Sequence, residues 1–413
     1  LLKTPVCRHL SAEAEAGKTK DQRLIFCMGI DLLDFGGQPW WTQSLFGLFV
    51  GSVVLSLFYQ LYFFRRIAFC RPPETDLGSP EAKELPGVSV VVCAWNELEN
   101  LKKLIPTLLR QNYPRFEVVV VDDRSDEECY EYLLFESLKE PRLQRVRIND
   151  TPDHVSSKKY ALTLGIKAAQ YDCLLLTDAD CLPQSDNWIT LMTSDLCNEK
   201  QVVLGFSPYQ RSGGWLNFLI QHETFYTAVQ YMSFAVAGIP YMGVGRNLGY
   251  RKSLFLQNKG FRSHLRVVGG DDDLFVSEVA HRGNTAVCLH PDAFTVSEPE
   301  RTFGAWLRQK RRHLAVGKKY RFGTKVLLGG LLLSQVLFWT CGILLLALWA
   351  FVPFVAAGFL LRILLQAWFM QRTARRLDAS VRWYTLLVFE VLYLFYYLFV
   401  GTWALFTKRA SWS

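Results

Sequence analysis

The chain has 413 residues, 50% of them hydrophobic and 14% aromatic, with a formal net charge of +8. That length can hold a large core and more than one domain, and the apolar residues collect in a few long runs, which excludes a wholly soluble chain. Ten cysteines without metal-ligand spacing exclude a zinc module and predict free thiols.

In chain order, residues 1–43 are expected to form an N-terminal tail. Its first methionine is Met28, and the residues before it lack the apolar core of a signal peptide, so no function is attached to them. Residues 44–64, SLFGLFVGSVVLSLFYQLYFF, carry no charge and match the ~20 residues that a membrane helix needs. From 72 to 300 strand and helix patterns alternate, which predicts a folded domain. VSVVVCA (88–94) leads to a helical segment, FEVVVVDD (116–123) to an acidic helix, and RLQRVRI (142–148) to a helix at about 158–170. CLLLTD (173–178) and QVVLGFS (201–207) continue the alternation. Apolar β-branched runs joined by helices predict an α/β domain whose parallel sheet is covered on both faces. Residues 301–325 contain no acid and predict a basic helix lying on anionic lipid. Residues 326–407 hold about three more apolar segments (326–349, 354–371 and 384–407), and 408–413 form a C-terminal tail.

Basic flanks predict the orientation. Arg65, Arg66 and Arg71 follow the first span, and Lys318, Lys319, Arg321 and Lys325 precede the second. The positive-inside tendency then puts the domain between them in the cytoplasm. Arg372, Arg375 and Arg376 agree, whereas Lys408 and Arg409 do not fit four simple crossings and leave open a re-entrant or interfacial late segment. Arg362 and Glu390 interrupt the apolar runs. Such residues face a partner in a membrane, and these two are expected to pair with each other.

The chemistry is predicted at the strand ends, because ligands of parallel sheets bind beyond the carboxyl ends of the strands. There the sequence places AWNE, DDRSD and DADC. In the last of these, Asp178 and Asp180 are two carboxylates one alanine apart, suited to a hard cation such as Mg²⁺ or Mn²⁺ that neutralises a diphosphate.

The ordered set CAWNE, VVVDDRSD, SKKYAL, TDADC, GVGRNLGYRKSLF, GGDDDLF and QKRRH resembles the membrane-bound family-2 glycosyltransferases over about 86–320. The resemblance implies a glycosyltransferase A fold with flanking transmembrane helices and an inverting transfer from a nucleotide-diphosphate sugar. It implies that Ala94, Trp95, Asn96 and Glu97 frame the base and ribose, with Trp95 where the family has Tyr. Asp122 and Asp123 would contact the nucleotide, Lys158 the phosphates, Asp178 the donor and Asp180 the metal. Aligned on Leu274, Asp271 would be the base, with Asp272 as the fallback and Gly270 where the family has Glu. Gly243, Gly245, Arg246 and Asn247 would line the acceptor side. Gln309 and Arg312 stand in the family's Gln-x-x-Arg positions, where Arg312 would pair with the diphosphate, and His313 replaces the tryptophan of polymer-making members.

The implied activity is transfer from a nucleotide-diphosphate sugar, UDP-linked by preference, to a lipid-linked or membrane-proximal hydroxyl, with no nucleic-acid partner. A processive polysaccharide synthase and a catalytically silent membrane scaffold are the alternatives. A nucleotidyltransferase would share the sheet and the Asp-x-Asp pair but not the basic Gln-x-x-Arg helix.

Overall fold

The computed structural model describes residues 37–70, 85–153, 155–196 and 199–403. Most of the N-terminal tail, Arg71, and the C-terminal tail with Lys408 and Arg409 lie outside these residues. Contacts divide the chain into two units, one from Leu1–Phe58 and Gly329–Gln366, the other from Tyr59–Leu328 and Ala367–Ser413.

The first apolar helix, α1 (Trp40–Phe58), passes through a π turn (Tyr59–Phe64) into α2 (Arg65–Phe69). The continuous helical segment, Trp40–Phe69, is longer than the expected 44–64 because Trp40–Thr42 and the arginines extend it. Three further long apolar segments come late in the chain, and among the described residues four are long and apolar enough to cross a membrane: Trp40–Phe69, Phe322–Ala347, Val352–Arg376 and Trp383–Gly401. In the first unit Phe49 packs against Phe338 at 5.6 Å and Phe359 at 5.7 Å between ring centroids. The helices approach closely because Gly342 and Gly358 carry no side chain: a Cβ there would lie 2.6 Å from Phe359 and 2.8 Å from Phe49, respectively. Arg362, 1% exposed, donates from Nε to Ser56 Oγ at 2.9 Å and lies 4.1 Å from the centroid of the Phe338 ring.

The second unit is built on a seven-stranded sheet ordered β3-β2-β1-β4-β7-β6-β8. In chain order the elements are β1 (Val88–Ala94), α3 (Leu98–Leu109), β2 (Phe116–Asp123), α4 (Glu127–Lys139), β3 (Leu143–Ile148), α5 (Ser157–Ala168) and β4 (Cys173–Asp178). Then come β5 (Cys181–Pro183), α6 (Trp188–Thr193), β6 (Val202–Leu204), α7 (Trp215–Val236), β7 (Leu248–Arg251), α8 (Lys252–Gln257) and α9 (Asp273–Val279). The last are β8 (Thr285–Val287), β9 (Thr295–Ser297), α10 (Phe303–Val316) and α13 (Trp383–Tyr396), whereas α11 (Phe322–Ala347) and α12 (Val352–Arg376) fall mostly in the first unit.

The sheet is mixed rather than wholly parallel. β3, β2, β1 and β4 run parallel, but β7 is antiparallel to both β4 and β6. The reversal has a local cause: the turn Gly245–Asn247 starts at the carboxyl rim, tied to β4 by Thr177 Oγ1 donating to Arg246 O at 3.0 Å. A strand leaving that rim can only run back beside β4. Helices cover both faces as expected, since apolar residues of α3, α4 and α6 fill one side and Ala161 of α5 packs with Val121 and Ile148 on the other. The seven described cysteines are free thiols.

Gly165 sets how closely α5 seats on the sheet. A Cβ there would meet Val121 Cγ2 at 2.7 Å and Val91 Cγ1 at 2.8 Å. Gly165→Leu is therefore expected to destabilise the domain by ~1–3 kcal/mol, the usual cost of overpacking. A lower denaturation midpoint of the purified full chain would register it.

Candidate active site

The three polar strand ends share one rim. In register, Ala94 lies beside Asp122 and Cys93 beside Asp178, so the side chains that follow β1, β2 and β4 converge. Trp95 is 48% exposed there, a large ring left uncovered for stacking. Asn96 adopts φ 55°, a conformation that asparagine tolerates. Its N–H donates to Ser125 Oγ at 2.9 Å and its Oδ1 accepts from the Asp126 N–H at 2.8 Å, joining the two turns. Glu97 accepts from Asn100 Nδ2 at 2.6 Å, and burial raises its pKa against that bond.

Two donor-side candidates lie beneath the rim. Asp122 is wholly buried, and its Oδ1 accepts from the Ser125 N–H at 3.0 Å, so it shapes the turn from beneath the rim. Ala94 is also buried, at 3% exposure, and offers no side-chain surface. Asp123 holds Arg124 Nε at 2.8 Å, and Arg124 also donates to Ser157 Oγ at 3.2 Å.

At the centre, Lys158 Nζ lies 2.8 Å from Asp178 Oδ1 and 3.4 Å from Asp271 Oδ2. Burial alone would lower the lysine's pKa, but the two carboxylates hold it well above the ordinary value. Burial works the other way on Asp178, and Lys158 overrides it to keep the carboxyl low. The cluster is a fixed arrangement of charges, and one cation is shared by two anions.

Asp180 is held differently. Its Oδ2 accepts from Ser297 Oγ at 2.9 Å and its Oδ1 from Cys181 Sγ at 3.3 Å. Ligand atoms of Asp178, Asp180 and Cys181 lie within 4.8 Å of one another, close enough to share a cation. Burial, then the two aspartates, push the Cys181 thiol well above its usual pKa, which disfavours a thiolate there. The available donors are carboxylate oxygens, which suit a hard divalent ion. Among the described residues no cation lies within ion-pair distance of Asp180, whereas Asp178 is already engaged by Lys158. The fit therefore places more of the metal binding on Asp180 than on Asp178. Beside Asp180 opens a cleft of about 350 Å³, lined by Asn100, Gln184, Gln210 and Ser297 among others.

The GGDDDLF segment explains its own departure from the family pattern. Gly270 has φ 74°, and a Cβ there would lie 2.8 Å from Leu274 Cγ, so the family's glutamate cannot occupy this backbone. Of the three aspartates, Asp272 is used by the backbone: Oδ1 accepts from the Asp273 N–H at 2.7 Å and Oδ2 from the Gly245 N–H at 2.8 Å. Asp273 accepts from Tyr320 Oη at 3.0 Å. Among the described residues Asp271 accepts no backbone hydrogen bond, and its ion pair is with Lys158 across the cluster.

Burial and the neighbouring Asp271 push the Asp272 pKa up to about 6. The protonated form is thus favoured by folding, so its stabilising contribution is full below about pH 4 and is lost as pH rises through about 6. Asp272→Asn, which has no proton to lose there, is expected to flatten that part of the pH dependence. Thermal midpoints at about pH 4.5 and about pH 7 would test this.

On the acceptor side, Gly245 is packed against Asp272, and Gly243 lies among Leu248, Val276 and Leu204. Asn247 is corrected from ligand contact to scaffold. It is fully buried, accepts from Trp188 Nε1 at 3.0 Å and donates to the carbonyls of Phe206 and Ala293 at 2.8 Å. Arg246 lies within electrostatic range of Asp178 and Asp180.

The basic helix α10 is capped by Thr302, whose Oγ1 accepts from the Ala305 N–H. Trp306 packs on Tyr396 at 5.6 Å, and the buried Lys310 forms an ion pair with the buried Glu223 of α7. Fixing that face turns the next residues toward the cluster: Arg312 is within electrostatic range of Asp178, and the exposed His313 is within range of Arg246 and Lys158. Gln309, partly exposed beside them, makes no side-chain hydrogen bond among the described residues. Lys310→Met would strand Glu223 and is expected to cost ~3–5 kcal/mol. Adding Glu223→Gln should recover most of that loss in a thermal-shift comparison.

Ser297, Cys181 and Glu223 were missed at the sequence level. Cys181 adjoins Asp180 and was within reach of inspection, but Ser297 lies 117 residues from it with no periodic signal. Only the pairing of β5 with β9 brings them together.

A mixed sheet with carboxylates on its rim, followed by a basic helix, is consistent with a nucleotide-sugar-dependent transferase, and comparison with known proteins agrees. The sequence matches "Glycosyl transferase family 2" over residues 89–257 and "Glycosyl transferase family group 2" over 189–406. The chain belongs to the family-2 glycosyltransferases. It is 27% identical over 255 residues to YdaM of Bacillus subtilis, a probable glycosyltransferase, covering 58% of this chain and 56% of that protein. It is 25% identical over 143 residues to the poly-beta-1,6-N-acetyl-D-glucosamine synthase of Staphylococcus aureus, covering 32% of this chain and 30% of the synthase. The chain thus spans little more than half of the first relative and under a third of the second. In fold it is similar to the mannosyltransferase PcManGT from Pyrobaculum calidifontis, solved with GDP-Man and Mn²⁺. That likeness has a TM-score of 0.53 and 20% identity, over 81% of this chain and 97% of the other.

Proposed function

We propose that the protein transfers a sugar, with inversion, from a nucleotide-diphosphate donor to a membrane-proximal or lipid-linked hydroxyl on the cytoplasmic face. The observation that carries this reading is the Lys158 bridge between Asp178 of the rim and Asp271 of the later motif. It puts a donor-side carboxylate and a candidate base within one side chain's reach. Trp95 stacks on the base, and Asp123 with Arg124 borders the ribose. Asp180, with help from Asp178, would hold a Mg²⁺ or Mn²⁺ ion, which when bound supplies Lewis-acid neutralisation of the diphosphate. Asp271 takes the proton from the acceptor hydroxyl as its oxygen attacks the anomeric carbon and the carbon–diphosphate bond breaks. Arg312 meets the departing charge with a planar guanidinium.

UDP is the expected nucleotide. A processive synthase is the second reading, favoured by the similarity to the poly-N-acetylglucosamine synthase. His313, in place of the tryptophan of polymer-making members, favours single transfer. Membranes containing the protein should release nucleoside diphosphate from one member of a nucleotide-sugar panel, and only when lipid extract is present. Release independent of lipid would remove the lipid-linked acceptor, and a ladder of products would establish the processive reading.

A further inference from the structure

The site's cations are not equally committed. Lys158 is neutralised by two carboxylates, at 2.8 and 3.4 Å. Arg246 is within electrostatic range of Asp178 and Asp180, yet among the described residues its guanidinium makes no ion pair within 4 Å and donates no hydrogen bond. One of its nitrogens, Nη1, is wholly buried without a partner. A guanidinium carries five N–H donors, and leaving them unmet in a partly desolvated place is costly.

The rest of the residue is firmly held. Its carbonyl accepts from Thr177 Oγ1 at 3.0 Å and from Thr295 Oγ1 at 2.8 Å, anchoring it to β4 and β9. Its guanidinium carbon lies 4.2 Å from the centroid of the Tyr209 ring, a cation–π contact that restrains the side chain. Thr177 directly precedes Asp178, so the anchor ties Arg246 to the Asp-x-Asp turn itself. The fork is therefore fixed in place before any ligand arrives, while its donors are unused.

We propose that Arg246 is a phosphate-binding residue of the site, presenting a preorganised fork to phosphate oxygens that Lys158, already spent on Asp178 and Asp271, cannot neutralise alone. The inference rests on the glycosyltransferase reading and extends it by naming the ligand chemistry of this side chain. Two sources offer that chemistry: the diphosphate of the donor and the phosphate of a lipid-linked acceptor. Arginine suits either, because its planar donors match phosphate oxygens in pairs.

The test compares wild-type full chain, Arg246→Met and Arg246→Lys in detergent, titrated with UDP and GDP and with uridine and guanosine. If the donor diphosphate is the ligand, Arg246→Met binds the preferred nucleoside diphosphate at least ~10-fold more weakly, the factor expected from about 1.4 kcal/mol for a lost charge-assisted bond. Nucleoside affinity stays unchanged, and Arg246→Lys, which keeps charge but not the fork, falls between. If the lipid phosphate is the ligand, diphosphate affinity holds while binding to vesicles containing polyprenyl phosphate weakens, relative to vesicles without it. Equal affinity of wild type and Arg246→Met in both arms overturns the inference, as does a parallel loss for the nucleoside alone. Should wild type bind neither diphosphate nor lipid phosphate, the glycosyltransferase reading of the site falls with it. A wild type that binds while Arg246→Met binds equally sinks the Arg246 inference only.

Discussion

Asp271→Asn is expected to cut sugar transfer by at least ~10²-fold while donor affinity stays within a few-fold of wild type. The asymmetry follows from the environments of the three adjacent aspartates. Asp272 spends both oxygens on backbone N–H groups and Asp273 accepts from Tyr320, so both are more committed to holding the fold than Asp271. Asp271 makes its ion pair with the Lys158 ammonium, which also holds Asp178. Asparagine keeps the shape and loses the basicity, so the charge change reaches the chemical step more than the binding step. Rapid-mix transfer assays beside equilibrium donor titrations separate the two. If Asp272→Asn shows the larger kinetic loss, the assignment of base and cap must be exchanged.

Asp180→Ala is the second large effect: divalent-ion-dependent donor affinity should disappear, with transfer falling below detection. Among the described residues this carboxylate is oriented by two uncharged donors, Ser297 and Cys181, and no cation lies within ion-pair distance of it. Asp178 cannot replace it, because one of its oxygens is already bonded to Lys158. Ser297→Ala should give a milder version, shifting the ion concentration for half-maximal activity without abolishing activity. A donor titration with and without Mn²⁺ reads both variants, and an unchanged Mn²⁺ dependence in Asp180→Ala would remove it from the metal site.

Much of this was legible in the sequence because the parallel half of the sheet is encoded locally. VSVVVCA, FEVVVVDD and CLLLTD are unbroken apolar runs, and β1, β2 and β4 occupy those same residues. The strand ends were equally clear, since each run stops at polar residues. The antiparallel half was not legible. QVVLGFS keeps only Val202–Leu204 as strand, and β7 is four residues whose direction is decided by a turn that Thr177 and Thr295 hold from elsewhere in the chain. Motif position alone also did not show that Asp122 and Asn247 lie buried, because a motif shows which residue types gather but not which of them face inward. Burial separates the two: Trp95 stands exposed on the rim, whereas Asn247 is sealed behind Trp188.

The division of the chain at Tyr59 and Ala367 has a practical consequence. Ala367–Ser413, with the last apolar helix, belongs to the catalytic unit, where His222 of α7 contacts Thr385 at 2.7 Å and Trp306 rests on Tyr396. Excising the sequence from 72 to 325 as a water-soluble enzyme would strip the greasy backing from the helix that carries Arg312. A preparation aimed at crystals, inhibitors or engineered acceptors must therefore keep the final apolar helix, and with it a detergent or lipid environment.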